Sequence, residues 1–453
     1  MNYSKQALRL LIGLCLLAPS WLRAQPTATP LPNRQLTLQE CVSFALQNQP
    51  AIRQALLNEA IGERTIRIGL SDWLPQISGV GTYTRNIELP VAVLPNFTDP
   101  TAPAQVRRIG LKNTSNLGLQ GTQLLFNNDV LLAARSARFI RQQTSQNTTS
   151  FRIDVVTGVS KAFYDILLTG EQLRVLDEAI VRQQKQLKDA YAQYEVGLVD
   201  KTDYKRASIA LKNAITDRKS AAESLKGKYA VLRQLMGTTP EAPLALTYDT
   251  LQLARETQLD TLEPLATERR IEVQQLLTQR QLQHLNIDYY RFGFLPSLSG
   301  FGNYTKVYQN NNFSDLYNQA FPTSQAGLQL AVPIFTGTRR IQNLRIAELQ
   351  QDLVDLDLVE TRNQINTEYQ QAMANYKSAA IDLNAQRINR DDAREVYNII
   401  KLQYDEGIKT YLEVIVAEND LRISQLNYYN ALYTVLAAKL DVQRAMGNIT
   451  FPN

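Results

Sequence analysis

Between positions 412 and 440, Leu412, Ile415, Asn419, Arg422, Leu426, Tyr429, Tyr433, Leu436 and Leu440 step by three and four residues throughout. That spacing draws one narrow stripe down a helix, diluted by Asn419 and Arg422. Two further stretches, about 127–196 and 339–406, carry the same helical signal at greater length. The first contains no proline and only Gly158 and Gly170 as glycines; the second contains neither residue. At 1.5 Å per residue each reaches roughly 100 Å, a length that needs coiled-coil support. Val196-Gly197-Leu198-Val199-Asp200 and Glu406-Gly407-Ile408-Lys409-Thr410 follow these stretches, with glycine where a helix end calls for positive φ. The chain then reverses into helices at about 203–236 and 411–446.

A different period marks four other segments, at about 74–85, 107–126, 295–307 and 324–335. Ile77, Gly79, Gly81 and Tyr83 alternate with Ser78, Val80, Thr82 and Thr84; Ile109, Leu111, Leu117 and Leu119 oppose Lys112, Thr114, Asn116 and Gln120; Leu328, Leu330, Val332 and Ile334 oppose Gln329 and Ala331. These are strands with one apolar and one polar side. The loops between them, 86–106 and 306–323, are rich in proline or amide residues. The alternating segments within these bounds run about 9–12 residues, the length of a membrane-spanning β-strand, although a soluble hairpin with one solvated face shows the same alternation. Helices at about 38–71 and 262–292 precede the two strand pairs. Thr37-Leu38-Gln39-Glu40 forms a capping box for the first, and Pro264 is expected in the first turn of the second.

The order helix, two strands, very long helix, turn, helix occurs twice, because residues 40–237 recur in diverged form at 261–447. Trp73-Leu74-Pro75 returns as Phe294-Leu295-Pro296, Gly118-Leu119-Gln120 as Gly327-Leu328-Gln329, and Met236-Gly237 as Met446-Gly447. An offset of 221 at the first match and about 210 at the later ones places an insertion of about a dozen residues between 84 and 118. The expected units are a first repeat 25–237, a linker 238–260 with little long structure, and a second repeat 261–453.

Residues 1–24 read as a secretory signal, with a basic start at Lys5 and Arg9, a nearly uninterrupted apolar run from Leu8 to Leu17, and cleavage expected before Gln25. This signal and the duplicated hairpin favour the membrane over a soluble sheet. Bulky Leu14 ahead of Cys15 argues against lipidation. Removing the signal takes the formal charge from +5 to +2, which gives no support for nucleic-acid binding. Beyond it stand one cysteine, Cys41, and one histidine, His284, so neither a disulfide nor a metal cluster is expected. No later stretch of 18 apolar residues offers a transmembrane helix. No Gly-rich phosphate loop or nucleophile elbow appears, and no enzyme activity or cofactor is expected.

Four tilted strands cannot close around a lumen, and an open edge in lipid leaves backbone groups unpaired. Membrane strands in this number require several chains to share one barrel, with the long helices forming a common tube below it.

The full mature sequence resembles the TolC-type outer membrane efflux channel family. The resemblance rests on Leu74-Pro75 and Leu295-Pro296, on Tyr194-Glu195-Val196-Gly197-Leu198-Val199 followed by Thr202-Asp203, and on Tyr404 to Gly407 followed by Tyr411-Leu412-Glu413-Val414. It implies a mainly α fold with a small β part. Three chains would form a twelve-stranded transmembrane barrel continued by a twelve-helix periplasmic barrel. It implies an outer membrane location reaching into the periplasm. The implied partners are a periplasmic adaptor and an inner-membrane pump of RND, ABC or MFS type. By the same resemblance, Glu413 lines the periplasmic aperture, and Asp203, Tyr404 and Lys409 tie the hairpins shut, Lys409 pairing with Asp203 and Tyr404 donating to it. Val416 stands where the family often has a second acid, so the acidic ring is expected to be single. Val196, Gly197, Leu198, Glu406, Gly407 and Ile408 resemble the tips that meet an adaptor. Tyr83 and Tyr304, at equivalent strand positions, are candidates for an interfacial aromatic belt. Small-molecule efflux is the default cargo, with metal efflux and polypeptide secretion sharing the architecture. A secreted coiled-coil scaffold or adhesin with soluble hairpins is the reading from another class.

Overall fold

A computed structural model describes residues 34–94, 105–247 and 250–451. The signal segment and Pro95, Pro100 and Pro103 lie outside these residues. The elements that build the molecule are α1 (Leu38–Asn48), α2 (Pro50–Ser71), β1 (Gln76–Arg85), β2 (Asn113–Phe126), α3 (Asn128–Glu195), α4 (Lys201–Met236), α5 (Ile271–Arg291), β3 (Ser297–Asn310), β4 (Ala320–Ala331), α6 (Arg339–Asp405) and α7 (Tyr411–Met446).

Helix α1 starts at the Thr37–Glu40 capping box, in which the Thr37 amide donates to Glu40 Oε2 at 2.9 Å. The single helix expected over 38–71 is in fact two. Pro50 has no amide to continue the ladder and holds Gln49 extended, at φ −60° and ψ 124°; α2 then starts with Pro50 in its first turn. The helix expected over 262–292 is also shorter. Pro264 precedes a 3-10 turn at Thr267–Arg269, and α5 begins only at Ile271. Arg270, 5% exposed, explains the delay. Its guanidinium donates to Glu272, to Glu368 of α6 and to the Arg444 carbonyl, which anchors the chain before the helix can start.

The strand expected over 107–126 divides. Val91–Leu94 and Gln105–Arg108 form a separate hairpin, Gly110 turns at φ +101°, and β2 begins at Asn113. The last strand runs 320–331 rather than 324–335, so Val332 to Phe335 leave the sheet at Pro333. The linker contains a short strand, Ala245–Leu246, parallel to Gln35–Leu36, and a helix at Thr250–Glu256.

β1, β2, β3 and β4 form one antiparallel sheet in that order, so β1 and β4 are its edges. Below it, α3 and α4 form one hairpin of 68 and 36 residues, and α6 and α7 a second of 67 and 36. The main core lies midway down the hairpins, where Phe163, Leu167 and Leu168 of α3 meet Leu232 and Met236 of α4 and Leu432 and Leu436 of α7. Its apolar burial holds the two hairpins side by side. Each hairpin ends in a left-handed glycine, Gly237 at φ +70° and Gly447 at φ +72°.

Candidate functional site

Strand register sorts the sheet into two chemically distinct faces. Tyr83 is level with Ser115 and Tyr308, Gly81 with Leu117 and Lys306, and Gly79 with Leu119 and Tyr304. Directly opposed residues share a face. One face therefore carries Ile77, Leu117, Leu119, Tyr304, Leu328 and Leu330, interrupted by Lys306. The other carries Ser78, Thr82, Asn116, Gln120, Asn303 and Gln325. Ile77, Leu119 and Leu328 are 77%, 59% and 71% exposed, a cost in water that lipid removes. Val80, although apolar, sits on the polar face.

Tyr83 and Tyr304 share the apolar face, but at different heights. Tyr83 is level with Tyr308, so Tyr304 lies four residues lower, about 13 Å along the strand at 3.3 Å per residue. The repeats align in sequence without aligning in register. The aromatic group at the far end of the sheet includes residues that sequence periodicity did not single out. Tyr83 meets Phe313 edge-on at 5.6 Å, and Tyr308 meets Tyr317 at 5.1 Å. Phe313 and Tyr317 belong to the connecting loop, which strand periodicity does not reach.

At the opposite end are the two hairpin turns. Gly197 at φ +79° lets the Leu198 amide reach the Gln193 carbonyl at 2.9 Å; Gly407 at φ +76° does the same for Ile408 and Gln403 at 2.8 Å. These bonds close the helix ends and turn Val196, Leu198 and Ile408 outward, at 70%, 76% and 71% exposure, beside exposed Glu406. The reversed helices are capped differently. Asp200 accepts from the Thr202 amide at the first tip. Thr410 and Glu413 form a capping box at the second, where Glu413 Oε2 accepts from the Thr410 amide at 2.9 Å.

The pairings expected at the tips are corrected within the chain. Lys409 Nζ meets Glu413 Oε1 at 2.7 Å rather than Asp203, because Lys409 stands in the turn just before the Thr410 cap, onto which the Glu413 side chain folds back. Asp203 faces Arg206 at 3.8 Å. The Tyr404 hydroxyl donates to Gln193 Oε1 at 3.1 Å, and its ring packs in a small cluster with Ala190, Ala207 and Tyr411. Donation from Lys409, and then from the Thr410 amide and hydroxyl, holds the Glu413 carboxyl down to about 2. Glu413 therefore keeps its charge throughout the neutral and mildly acidic range.

A third arrangement has no counterpart in the sequence reading. Above the second tip, Glu418 of α7 is 1% exposed and accepts from Arg182 Nε of α3 at 3.1 Å. Only tertiary structure brings these two residues, 236 positions apart, together. Among the described residues no group of three or more His, Cys, Asp or Glu could hold a metal ion, and no helix is long and apolar enough to cross a membrane.

A family model described as outer membrane efflux protein matches residues 41–238 and 262–448, one match per repeat. The outer membrane protein TolC of Vibrio cholerae is 22% identical over 419 residues, covering 91% of both chains. The alkaline protease secretion protein AprF of Pseudomonas aeruginosa is 24% identical over 425 residues, covering 90% of this chain and 82% of that one. Among solved structures, the transmembrane channel protein CusC superposes with a TM-score of 0.72 at 18% identity, covering 93% of this chain and 98% of that one.

Proposed function

The chain belongs to the outer membrane efflux protein family, and we propose that three copies form a passive duct that exports small molecules from a periplasmic adaptor and an inner-membrane pump to the exterior. The observation that carries this reading is the sheet: four strands, two free edges, one apolar face and one polar face. Three such sheets joined edge to edge give twelve strands, a closed wall with lipid outside and water inside.

The free edges continue into helices that also lack partners. α2 leads into edge strand β1 and exposes Leu57, Ile61 and Ile68; α6 follows edge strand β4 and exposes Ile346, Leu349, Leu353 and Leu356. The second set steps by three, four and three, the spacing of a coiled-coil seam. Joining β4 of one copy to β1 of the next brings these two stripes together. A secreted scaffold has no use for an apolar sheet face, two open edges and two matching seams.

The tips supply the gate and the docking end. Three Glu413 carboxylates around a narrow aperture attract cations, with Lys409 beside each one moderating the field. Val196, Leu198 and Ile408 offer an apolar rim to an adaptor. No group in the duct supplies energy, so the partner pump must do so and must also choose the cargo. Protease secretion, the role in AprF's name, is the second use this architecture allows.

The test is purification in detergent followed by insertion into a planar bilayer. A trimer that conducts, and whose cation preference falls in Glu413→Gln, supports the reading. A stable monomer without conductance overturns it.

A further inference from the structure

Polar contacts lace α3 to α7 from the core toward the tips. Asp154 meets Arg444 at 2.7 Å, Lys161 meets Asp441 at 2.6 Å, Gln172 meets Asn430 at 2.6 Å, and Tyr429 donates to Glu171 at 3.1 Å. Arg182 and Glu418 come next. The buried Glu171 carboxylate is well served, since Arg174 also reaches it at 2.7 Å. Glu418 is not: its Oε2 has no hydrogen-bond partner among the described residues. Neither do Arg182 Nη2, Gln183 Oε1, Gln186 Nε2, Tyr411 Oη and Gln425 Oε1, all from the same stretch of α3 and α7.

Beside this layer lies a cavity of about 190 Å³ between α3, α6 and α7, which Arg182, Gln186 and Tyr411 line. The charged and titratable groups around it come from every neighbouring helix. α3 contributes Lys185 and Asp189, with Glu178 behind Arg182; α6 contributes Tyr397, Lys401 and Tyr404. On α7 itself, Arg422 turns away to Asp217 of α4 at 2.6 Å. Several buried polar groups here thus find no protein partner among the described residues, and taking each out of bulk water costs free energy. This part of the seam is loaded where the core above it is relaxed.

Building on the duct reading, we propose that the Arg182–Glu418 layer is the plane along which the two helical hairpins part as the tips dilate. The charge on Glu418 sets the balance: neutral, it holds the hairpins together; ionised, it loosens them. The sign follows from burial. Burial pushes the Glu418 carboxyl above its ordinary range, and Arg182, then the neighbouring Gln186 amide and Arg422, oppose the shift without cancelling it. A parted, hydrated seam returns the carboxyl toward its ordinary value. The closed seam therefore binds the proton more tightly. The proton's contribution to closure is complete below the ordinary carboxylate value and is lost as pH rises through the raised one.

The experiment uses the full-length trimer in planar bilayers at about pH 5 and about pH 7.5, bracketing a raised carboxyl. Wild type is expected to conduct several-fold less at the lower pH. Glu418→Gln should conduct at the acid-like level at both values, whereas Arg182→Met, which strands an ionised Glu418, should conduct more at the higher pH than wild type. Opposite signs from two ends of one ion pair are not what simple loss of structure produces. A wild-type pH response retained in Glu418→Gln, or a conductance raised by that change, overturns the proposal. Hydrogen exchange on unmodified protein gives a second measurement: after correction for intrinsic rates, amides of 411–425 should gain protection on acidification and those beside Glu171 should not. Equal or reversed changes overturn it. A wild-type trimer that never conducts rejects the duct instead, while the exchange result still decides the latch.

Discussion

Four left-handed glycines end the helices of this protein, and replacing each by alanine should cost very different amounts. Gly197, Gly237, Gly407 and Gly447 have φ between +70° and +79°. Alanine in that conformation costs roughly 1–2 kcal/mol, offset by about 0.4–1 kcal/mol from a stiffer unfolded chain. At Gly197 and Gly407 an added Cβ meets nothing within 4 Å, so about 1 kcal/mol is the whole effect. At Gly237 the Cβ would lie 2.6 Å from the Asn48 carbonyl oxygen and 2.7 Å from Gln49 Cα. Both atoms are backbone, at the corner where Pro50 breaks the first helix, and Ala45, Ile52 and Met236 are all buried there. The corner cannot swing away without disturbing the core, which adds about 1–3 kcal/mol of overpacking. Gly447 is intermediate, with the Arg269 carbonyl oxygen at 3.1 Å. The expected order of destabilisation is Gly237→Ala, then Gly447→Ala, then the two tips together. Denaturant titration of the detergent-solubilised protein, paired with exchange rates of α1 and α2 amides, reads the series. Asparagine, which tolerates positive φ better, separates the two causes: it should nearly restore Gly197 and should not restore Gly237. Equal losses at Gly197 and Gly237 would refute the reasoning, because the backbone approach at 2.6 Å would then be worth nothing.

Charge placed on the sheet should distinguish its faces. Leu119→Arg, on the apolar face, should cost about 2–4 kcal/mol in lipid and reduce the yield of assembled trimer, while Gln120→Arg should assemble normally. A deficit of the same size in both would rule out lipid contact by that face. At the proposed aperture, the lowered Glu413 carboxyl gives stability present above the ordinary carboxylate value and lost as pH falls through about 2. Cation preference measured by reversal potential should therefore survive at about pH 5 and increase in Lys409→Ala; loss of preference at that pH contradicts the assignment. Along the proposed seam between copies, Ile61→Glu and Leu353→Glu should each lower the temperature at which trimers dissociate on gels, and unchanged dissociation in both removes these stripes from the interface.

Much of this architecture was legible in the sequence because it rests on local rules. The glycines at both turns, the proline-free helical runs and the alternating strands each need only neighbours in the chain. Two further features also follow from local rules. Pro50 forbids a continuous helix at Gln49, and Thr410-x-x-Glu413 repeats the pattern that marks the helix start at Thr37. Seen as a capping box, Glu413 is partly occupied by its own helix, and Lys409 by Glu413. Other features could not be read locally. The delayed start at Ile271 depends on Arg270 reaching Glu368 and the Arg444 carbonyl, 98 and 174 residues away. The four-residue offset of Tyr304 from Tyr83 depends on how β2 pairs with both neighbours, and the repeat itself suggested the wrong level.

The distribution of polar groups along the hairpins bears on how such a tube can be both sealed and openable. Around Phe163, Leu167, Leu432 and Leu436 the contact of α3 with α7 is apolar at its centre, with the part-exposed Lys161–Asp441 pair at its margin. Parting it exposes surface at about 25 cal/mol per Å², with nothing returned. Toward the tips the same two helices meet through a polar layer of Gln183, Gln186, Arg182, Glu418 and Gln425, with the small cluster of Ala190, Ala207, Tyr404 and Tyr411 beyond it. Parting that layer opens its unpartnered polar groups to bulk water, so it costs less than parting the apolar core above it. One pair of helices thus carries a stiff upper section and a compliant lower one, and the boundary falls near Glu171, the last buried carboxylate whose bonds are satisfied. Dilation confined below that boundary needs no rearrangement of the sheet or of the seams beside it. Filling the lower layer with apolar side chains, as in Arg182→Met combined with Glu418→Leu, should extend the stiff section to the tips. That variant is expected to be more stable than wild type and to conduct less at every pH. If it is more stable but conducts normally, the hairpins do not part along this plane.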